Sequence, residues 1–246
     1  MKYHLSVIIP AYNEEKRLPS TLERTIDFLR KQPYTSEIIV VTDGSTDNTA
    51  HVARSFAKDF PSLTVIEQDT KVGKGYAVKL GMLSANGDYR LFMDADYAVP
   101  IEYISSFLSL AKRNNAIVIA SRGLEKSILE KRQKFLREKM ARLFGVIQRQ
   151  VLGLPIIDTQ CGFKLFDEHS TKRIFNALTY TCSYFDAELL YIAHHSGIPI
   201  EEVPVAWRHD NETRLPIGMK RSVDLFIKLF KIKRIHRFPR SVRAHQ

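Results

Sequence analysis

The chain has 246 residues, 44% of them hydrophobic and 26% charged, which is enough for a sizeable core and excludes disorder, collagen-like repeats and disulfide scaffolds. Its net charge of +10 is unevenly placed: residues 122–150 hold nine Lys/Arg against three Asp/Glu, and residues 218–246 hold nine against one. The remainder is mildly acidic, so nucleic acid, anionic lipid and phosphorylated substrates are the partner classes to weigh, and two segments must decide among them.

In chain order, Leu5–Ile9, Glu37–Thr42, Leu63–Glu67, Tyr89–Met93 and Ala116–Ser121 read as buried strands, short and bounded by turn residues. Helical patterns lie between them near Leu18–Lys31, Asp47–Asp59, Lys74–Ala85 and Pro100–Arg113. This alternation predicts an α/β fold with a mostly parallel sheet, whose ligands bind beyond the carboxyl ends of the strands. After Arg122 the rhythm changes. Phe135–Leu152 is a long amphipathic helix, Phe163–Phe166 a short strand, Asp167–Ala177 and Phe185–Ser196 helices, and Ile200–Trp207 a strand. Met219–Ile235 is a last basic amphipathic helix with Val223, Phe226, Ile227 and Phe230 grouped together. Cys161 and Cys182 read as small buried residues, and His194-His195 lacks a matching set of metal ligands. No run reaches the roughly 18 apolar residues of a membrane span, and the N-terminus lacks signal-peptide features, which predicts a cytoplasmic protein.

Three strand ends carry chemistry: Pro10-Ala11-Tyr12-Asn13-Glu14-Glu15, Asp43-Gly44-Ser45-Thr46-Asp47, and Asp94-Ala95-Asp96. The first two suit turns and helix caps as well as nucleoside contacts. In the third, two carboxylates two residues apart repel each other unless a cation lies between them. Mg²⁺ or Mn²⁺ shared with substrate phosphates is the usual resolution. Lys71-Val72-Gly73-Lys74-Gly75 fails as a phosphate loop, because no Ser or Thr follows a Gly-Lys pair, and Val78 stands where a dinucleotide fingerprint needs its third glycine. Gly75 could let backbone amides approach a nucleotide, or simply start a helix.

With Gly73-Lys74-Gly75-Tyr76-Ala77, these stretches resemble, in order and spacing, the inverting family 2 glycosyltransferases of GT-A fold. The resemblance implies that Pro10, Tyr12, Glu14, Asp43 and Gly75 line the donor nucleoside, that Asp94 faces ribose and metal, and that Asp96 binds the metal. The family's acidic pair before Gly44-Ser45 is Thr42-Asp43 here, which leaves Asp43 alone. Ser121-Arg122, Asp158-Thr159-Gln160-Cys161-Gly162-Phe163-Lys164, Phe185-Asp186-Ala187-Glu188 and Ile198-Pro199-Ile200 resemble the polyprenyl-phosphate sugar synthases, nearest their dolichyl-phosphate glucosyltransferase branch. Ala98, where mannosyl relatives commonly have Gln, shades the sugar toward glucose.

That resemblance implies metal-dependent transfer of glucose, or next mannose, from a nucleoside diphosphate sugar of the UDP-glucose or GDP-mannose class to a polyprenyl phosphate. Arg122, Arg132 and Gln160 would take the acceptor phosphate, and Arg208 and Arg214 the donor diphosphate. Asp158 would orient the acceptor, support the anomeric centre, or cap the loop of residues 159–163. The expected organisation is a nucleotide-sugar half, 1–121, an acceptor half, 122–217, with an interface helix at 130–152, and a basic helix and tail, 218–246. Apolar faces rimmed by Lys and Arg suit an anionic membrane surface on its cytoplasmic side, and their mixing with Phe and Leu disfavours nucleic acid. Two rival readings are a family 2 transferase using Asp158 as base toward a hydroxyl acceptor, and a non-catalytic basic module.

Overall fold

The computed structural model describes residues 2–129, 145–182, 184–208 and 219–236. Strands β1 (Tyr3–Ala11), β2 (Ser36–Asp43), β3 (Leu63–Gln68), β4 (Gly87–Met93) and β5 (Ile117–Ser121) alternate with helices α1 (Leu18–Leu29), α2 (Thr49–Ser55), α3 (Lys74–Ser84) and α4 (Ile104–Asn114). A two-residue strand β6 (Ile128–Leu129) and helix α5 (145–152) follow. The chain continues through β7 (Phe163–Asp167), α6 (Glu168–Ala177), α7 (Phe185–His195), β8 (Ile200–Pro204), β9 (Ala206–Trp207) and α8 (Met219–Ile235).

One seven-stranded sheet has the order β3-β2-β1-β4-β7-β5-β8. All its pairings are parallel except those of β7, which runs antiparallel between β4 and β5 and so stitches the second half of the chain into the first. The order reverses between β1 and β4: the chain first builds outward through β2 and β3, then returns to the other side of β1. In open α/β sheets the crevice at such a reversal is where ligands bind. Here it is bounded by Ala11 at the end of β1 and Met93 at the end of β4.

The strands are apolar throughout because both faces are covered. Leu5, Val7, Ile9, Leu91, Met93, Phe163 and Leu165 point to the layer of α1 and α4. Ile8, Ile39, Val41, Phe92 and Phe166 point to the layer of α3, α6 and α7. Helix α1 meets its layer through Leu18, Leu22, Ile26 and Leu29, one helical stripe. Helix α6 starts where the Asp167 side chain accepts the Ser170 N–H at 2.9 Å.

Two sequence expectations need correction. The segment Ile200–Trp207 is not one strand: Pro204 has no N–H to continue the ladder, Val205 turns inward, and β9 leaves to pair with β6. Cys182 is only half-buried, although Cys161 is buried as expected; both thiols are free. In α8, Leu229 and Ile232 pack on the core, while Ile227 and Phe230 are 50% and 61% exposed. Of the predicted helix Phe135–Leu152, residues 135–144 lie outside the described residues.

Candidate active site

The floor of the crevice is the turn after β4. The Asp94 N–H donates to the Gly162 carbonyl at 3.0 Å, and the Thr21 hydroxyl donates to the Ala95 carbonyl at 2.7 Å. Tyr97 takes a left-handed φ of 53°, and Asp96 Oδ1 accepts the Ala98 N–H at 3.1 Å. Gly162 is required here: a Cβ would lie 2.2 Å from Asp94 Cγ, so only glycine lets the carboxylate settle against this backbone. Burial first, and the neighbouring Asp94 second, push the Asp96 carboxyl up to about 6. The Lys74 ammonium stands 2.6 Å from Asp94 Oδ1.

Beside this floor, the ends of β1 and β2 assemble the expected nucleoside side. Pro10 is buried in β1, paired with Val41. The Tyr12 ring lies under the Lys71 ammonium, 3.4 Å from its centroid. The Glu14 N–H donates to Thr49 Oγ1 at 2.8 Å, and its carboxylate accepts Arg17 Nε–H at 2.6 Å. Asp43 is buried, and its two oxygens accept the Val72 and Gly73 N–H groups, each at 2.8 Å. Its carboxylate therefore fixes the loop before α3. The missing side chain of Gly75 is used by the protein itself, since a Cβ would come within 2.7 Å of Phe185 Cβ and of the Tyr180 carbonyl.

The opposite wall comes from the second half. Arg122 follows β5, and its Nε–H and Nη2–H donate to Asp158 at 2.6 and 2.9 Å, a bidentate pair. The Arg122 and Gln160 N–H groups donate to the same carboxylate at 3.0 and 3.1 Å. Burial alone would raise Asp158, but the charge and hydrogen bonds of Arg122 outweigh it and hold the carboxyl down at about 2. The Arg122 guanidinium also sits over the Trp207 ring, 5.2 Å from the centroid. The Arg208 N–H donates to the Ala98 carbonyl at 3.0 Å, which ties the end of β9 to the Asp96 turn, and its side chain is exposed. One pocket is lined by Asp94, Asp96, Arg122, Gln160, Gly162 and Trp207 among others. Arg132 and Arg214 lie outside the described residues.

Several supports escaped the sequence reading. Glu202 in β8 accepts the Ile157 and Asp158 N–H groups at 2.7 and 3.0 Å and so sets the height of Asp158. Lys164, fully buried, donates to Asp186 and to the Cys161 carbonyl, each at 2.6 Å. A lysine in an otherwise apolar strand was the available signal, since a buried charge needs a partner. Trp207 was visible only as a sequence neighbour of Arg208.

The acid pair fits a divalent ion. Two crowded carboxylates, one with its pKa raised by burial and by the other, are relieved by added positive charge. Buried Asp94 Oδ1 already faces one cation, the Lys74 ammonium at 2.6 Å.

Residues 6–175 match the glycosyl transferase family 2 domain. A dolichyl-phosphate beta-glucosyltransferase of Trichomonas vaginalis is 38% identical over 95% of this chain and 74% of its own length. The dolichyl-phosphate beta-glucosyltransferases of Homo sapiens and Saccharomyces cerevisiae are 36% and 31% identical, over 86% and 91% of this chain and 69% and 73% of their own lengths. Among solved structures, glucosyl-3-phosphoglycerate synthase of Mycobacterium tuberculosis, in complex with Mn²⁺, UDP and glucosyl-3-phosphoglycerate, superposes with a TM-score of 0.65. At 18% identity over 97% of this chain and 82% of that one, it shares the GT-A-type fold. Fold, acid pair and sequence agree, and the chain belongs to glycosyl transferase family 2.

Proposed function

We propose that the protein transfers glucose from UDP-glucose to dolichyl phosphate, or a similar polyprenyl phosphate, with inversion at the anomeric carbon and with a divalent ion, Mg²⁺ or Mn²⁺. The glucosyl and dolichyl assignments rest on relatives so named at 31–38% identity. The observation that carries the acceptor class is Asp158. Its carboxylate is locked on Arg122 with a pKa of about 2, so it is too weak a base to deprotonate a hydroxyl acceptor. A lipid phosphate monoester needs no such base, because its second ionisation lies near 6 and it is already an anionic nucleophile at neutral pH.

Asp94 and Asp96 would hold the divalent ion, which offsets charge on the donor diphosphate and on the departing nucleotide. The chain's own groups do the rest. Pro10, Tyr12 and Glu14 border the nucleoside, and Asp43 holds the adjoining loop of Val72 and Gly73. Arg122, kept flat by Asp158 and Trp207, presents fixed positive charge to the acceptor phosphate beside Gln160. A phosphate oxygen attacks the anomeric carbon opposite the diphosphate, the carbon–oxygen bond to the β-phosphate breaks, and the α-linked donor gives a β-linked product. Arg208 is tied by its backbone to the Asp96 turn, within reach of the donor side.

Access to a lipid acceptor is supported by α8, where Ile227, Phe230 and Ile235 are exposed among exposed Lys231, Lys233 and Arg234, a composition suited to an anionic headgroup layer. No helix among the described residues is long and apolar enough to cross a membrane. The test is a donor screen in detergent with dolichyl phosphate, labelled UDP-glucose or GDP-mannose, and Mn²⁺ or EDTA. Label should pass to lipid from UDP-glucose and stop with EDTA; no lipid product from UDP-glucose, or product undiminished by EDTA, overturns the reading.

A further inference from the structure

Lys74 has no part in the scheme above, yet it stands at the acid pair. Its position is over-determined. Asp43 holds the two residues before it, a Cβ on Gly73 would meet the Thr181 carbonyl at 2.3 Å, and Gly75 packs directly on Phe185. The first turn of α3 is thus wedged against the start of α7, which fixes the Lys74 backbone beside Asp94 while its side chain keeps its reach. Two ammonium groups flank the Phe92 ring, Lys164 at 5.2 Å and Lys74 at 5.6 Å. Lys164 is committed to Asp186 deep in the core, where both are buried. Lys74 is about one-third exposed, with its side chain at 34% and that of Asp94 at 31%, and its ammonium meets Asp94 Oδ1 at the crevice surface. Of the two cations, only Lys74 is placed to be displaced.

We infer that Lys74 is a tethered counter-cation that competes with the divalent ion for Asp94, so that the ion binds weakly by itself and firmly only when nucleotide phosphates arrive to receive the displaced ammonium. This rests on the proposed divalent-ion role of Asp94 and Asp96. Lys74 is in this sense a positioning residue: it holds the Asp94 side chain in place before the ion binds, at 2.6 Å from Oδ1, and it makes ion and nucleotide binding cooperative.

Free Mn²⁺, counted by electron paramagnetic resonance, reads this without turnover, and the fluorescence of Trp207, the only tryptophan and part of the same pocket, gives a second signal. Lys74→Gln should bind Mn²⁺ alone about tenfold or more tighter than wild type, which corresponds to about 1.4 kcal/mol, and UDP should add less to its Mn²⁺ affinity than it adds for wild type. Lys74→Arg, which keeps the charge, should stay near wild type. Lys74→Met, which keeps an apolar stem over Phe92, replaces K74Q if circular dichroism shows that variant unfolded. Mn²⁺ affinity without nucleotide that is equal or lower in the uncharged variant overturns the inference. If instead wild type with UDP takes up no more Mn²⁺ than UDP itself chelates, and Asp96→Ala matches it, the divalent-ion reading fails first.

Discussion

Replacing Asp158 with Asn tests whether this carboxylate is a clamp or a base. In the native protein it accepts two guanidinium hydrogen bonds, at 2.6 and 2.9 Å, and two backbone N–H bonds. Its pKa falls from 3.8 to about 2, a difference worth about 2.5 kcal/mol at neutral pH. The amide would also set its NH₂ against the donors of Arg122, so a loss of about 2–4 kcal/mol is expected, typical of a broken buried pair. For a domain of this size that lowers Tm by roughly 5–12 °C. The sign with pH is fixed: a depressed carboxylate stabilises the fold above its unfolded pKa of about 4, and that contribution is lost as pH falls through about 2. Calorimetric melting curves of wild type and D158N should therefore differ most at pH 5–7 and draw together only as pH falls from about 4 to about 2. In steady-state assays the variant should raise KM for dolichyl phosphate more than it lowers kcat, because Arg122 is present but unclamped. A Tm within about one degree of wild type, or loss of kcat alone together with the acidic limb of its pH profile, would refute the clamp.

Asp96→Asn should behave in the opposite sense for stability. The carboxyl is raised to about 6 by burial and by Asp94, so its contribution to the metal-free fold is fully present below about pH 4 and lost as pH rises through 6. Removing the charge should stabilise the metal-free protein at pH 7 by about 2–3 kcal/mol in chemical denaturation while abolishing transfer; a destabilised or active variant contradicts this. Phe230→Glu, at a side chain 61% exposed, should leave Tm within about one degree and cut flotation with phosphatidylserine-containing liposomes several-fold. Unchanged flotation would remove α8 from the membrane account.

The parallel core was legible because its strands are buried on both faces and so read as short Val- and Ile-rich runs between turn residues. The acid pair was legible because electrostatics makes Asp94-Ala95-Asp96 at a strand end hard to explain without a cation. The break at Val205 was not, since two-residue strands such as Ile128–Leu129 carry no periodic signal. In α8 apolar residues occupy too much of the circumference for sequence to choose a face, and packing against α7 chose Leu229 and Ile232. The pairing of Arg122 with Asp158 joins residues 36 positions apart, and Lys74 meets Asp94 across the crevice floor. The first contact follows from β7 entering the sheet antiparallel beside β5, and the second from α3 starting at the carboxyl ends of the parallel strands; local pattern encodes neither.

The acceptor is the sharpest point of contact between geometry and chemistry. Purified protein, given labelled UDP-glucose and Mn²⁺ with either dolichyl phosphate or dolichol in the same detergent, should move label to the phosphate alone and yield a β-linked product. Equal transfer to dolichol would require a base that the Arg122–Asp158 pair cannot supply, and would contradict the account.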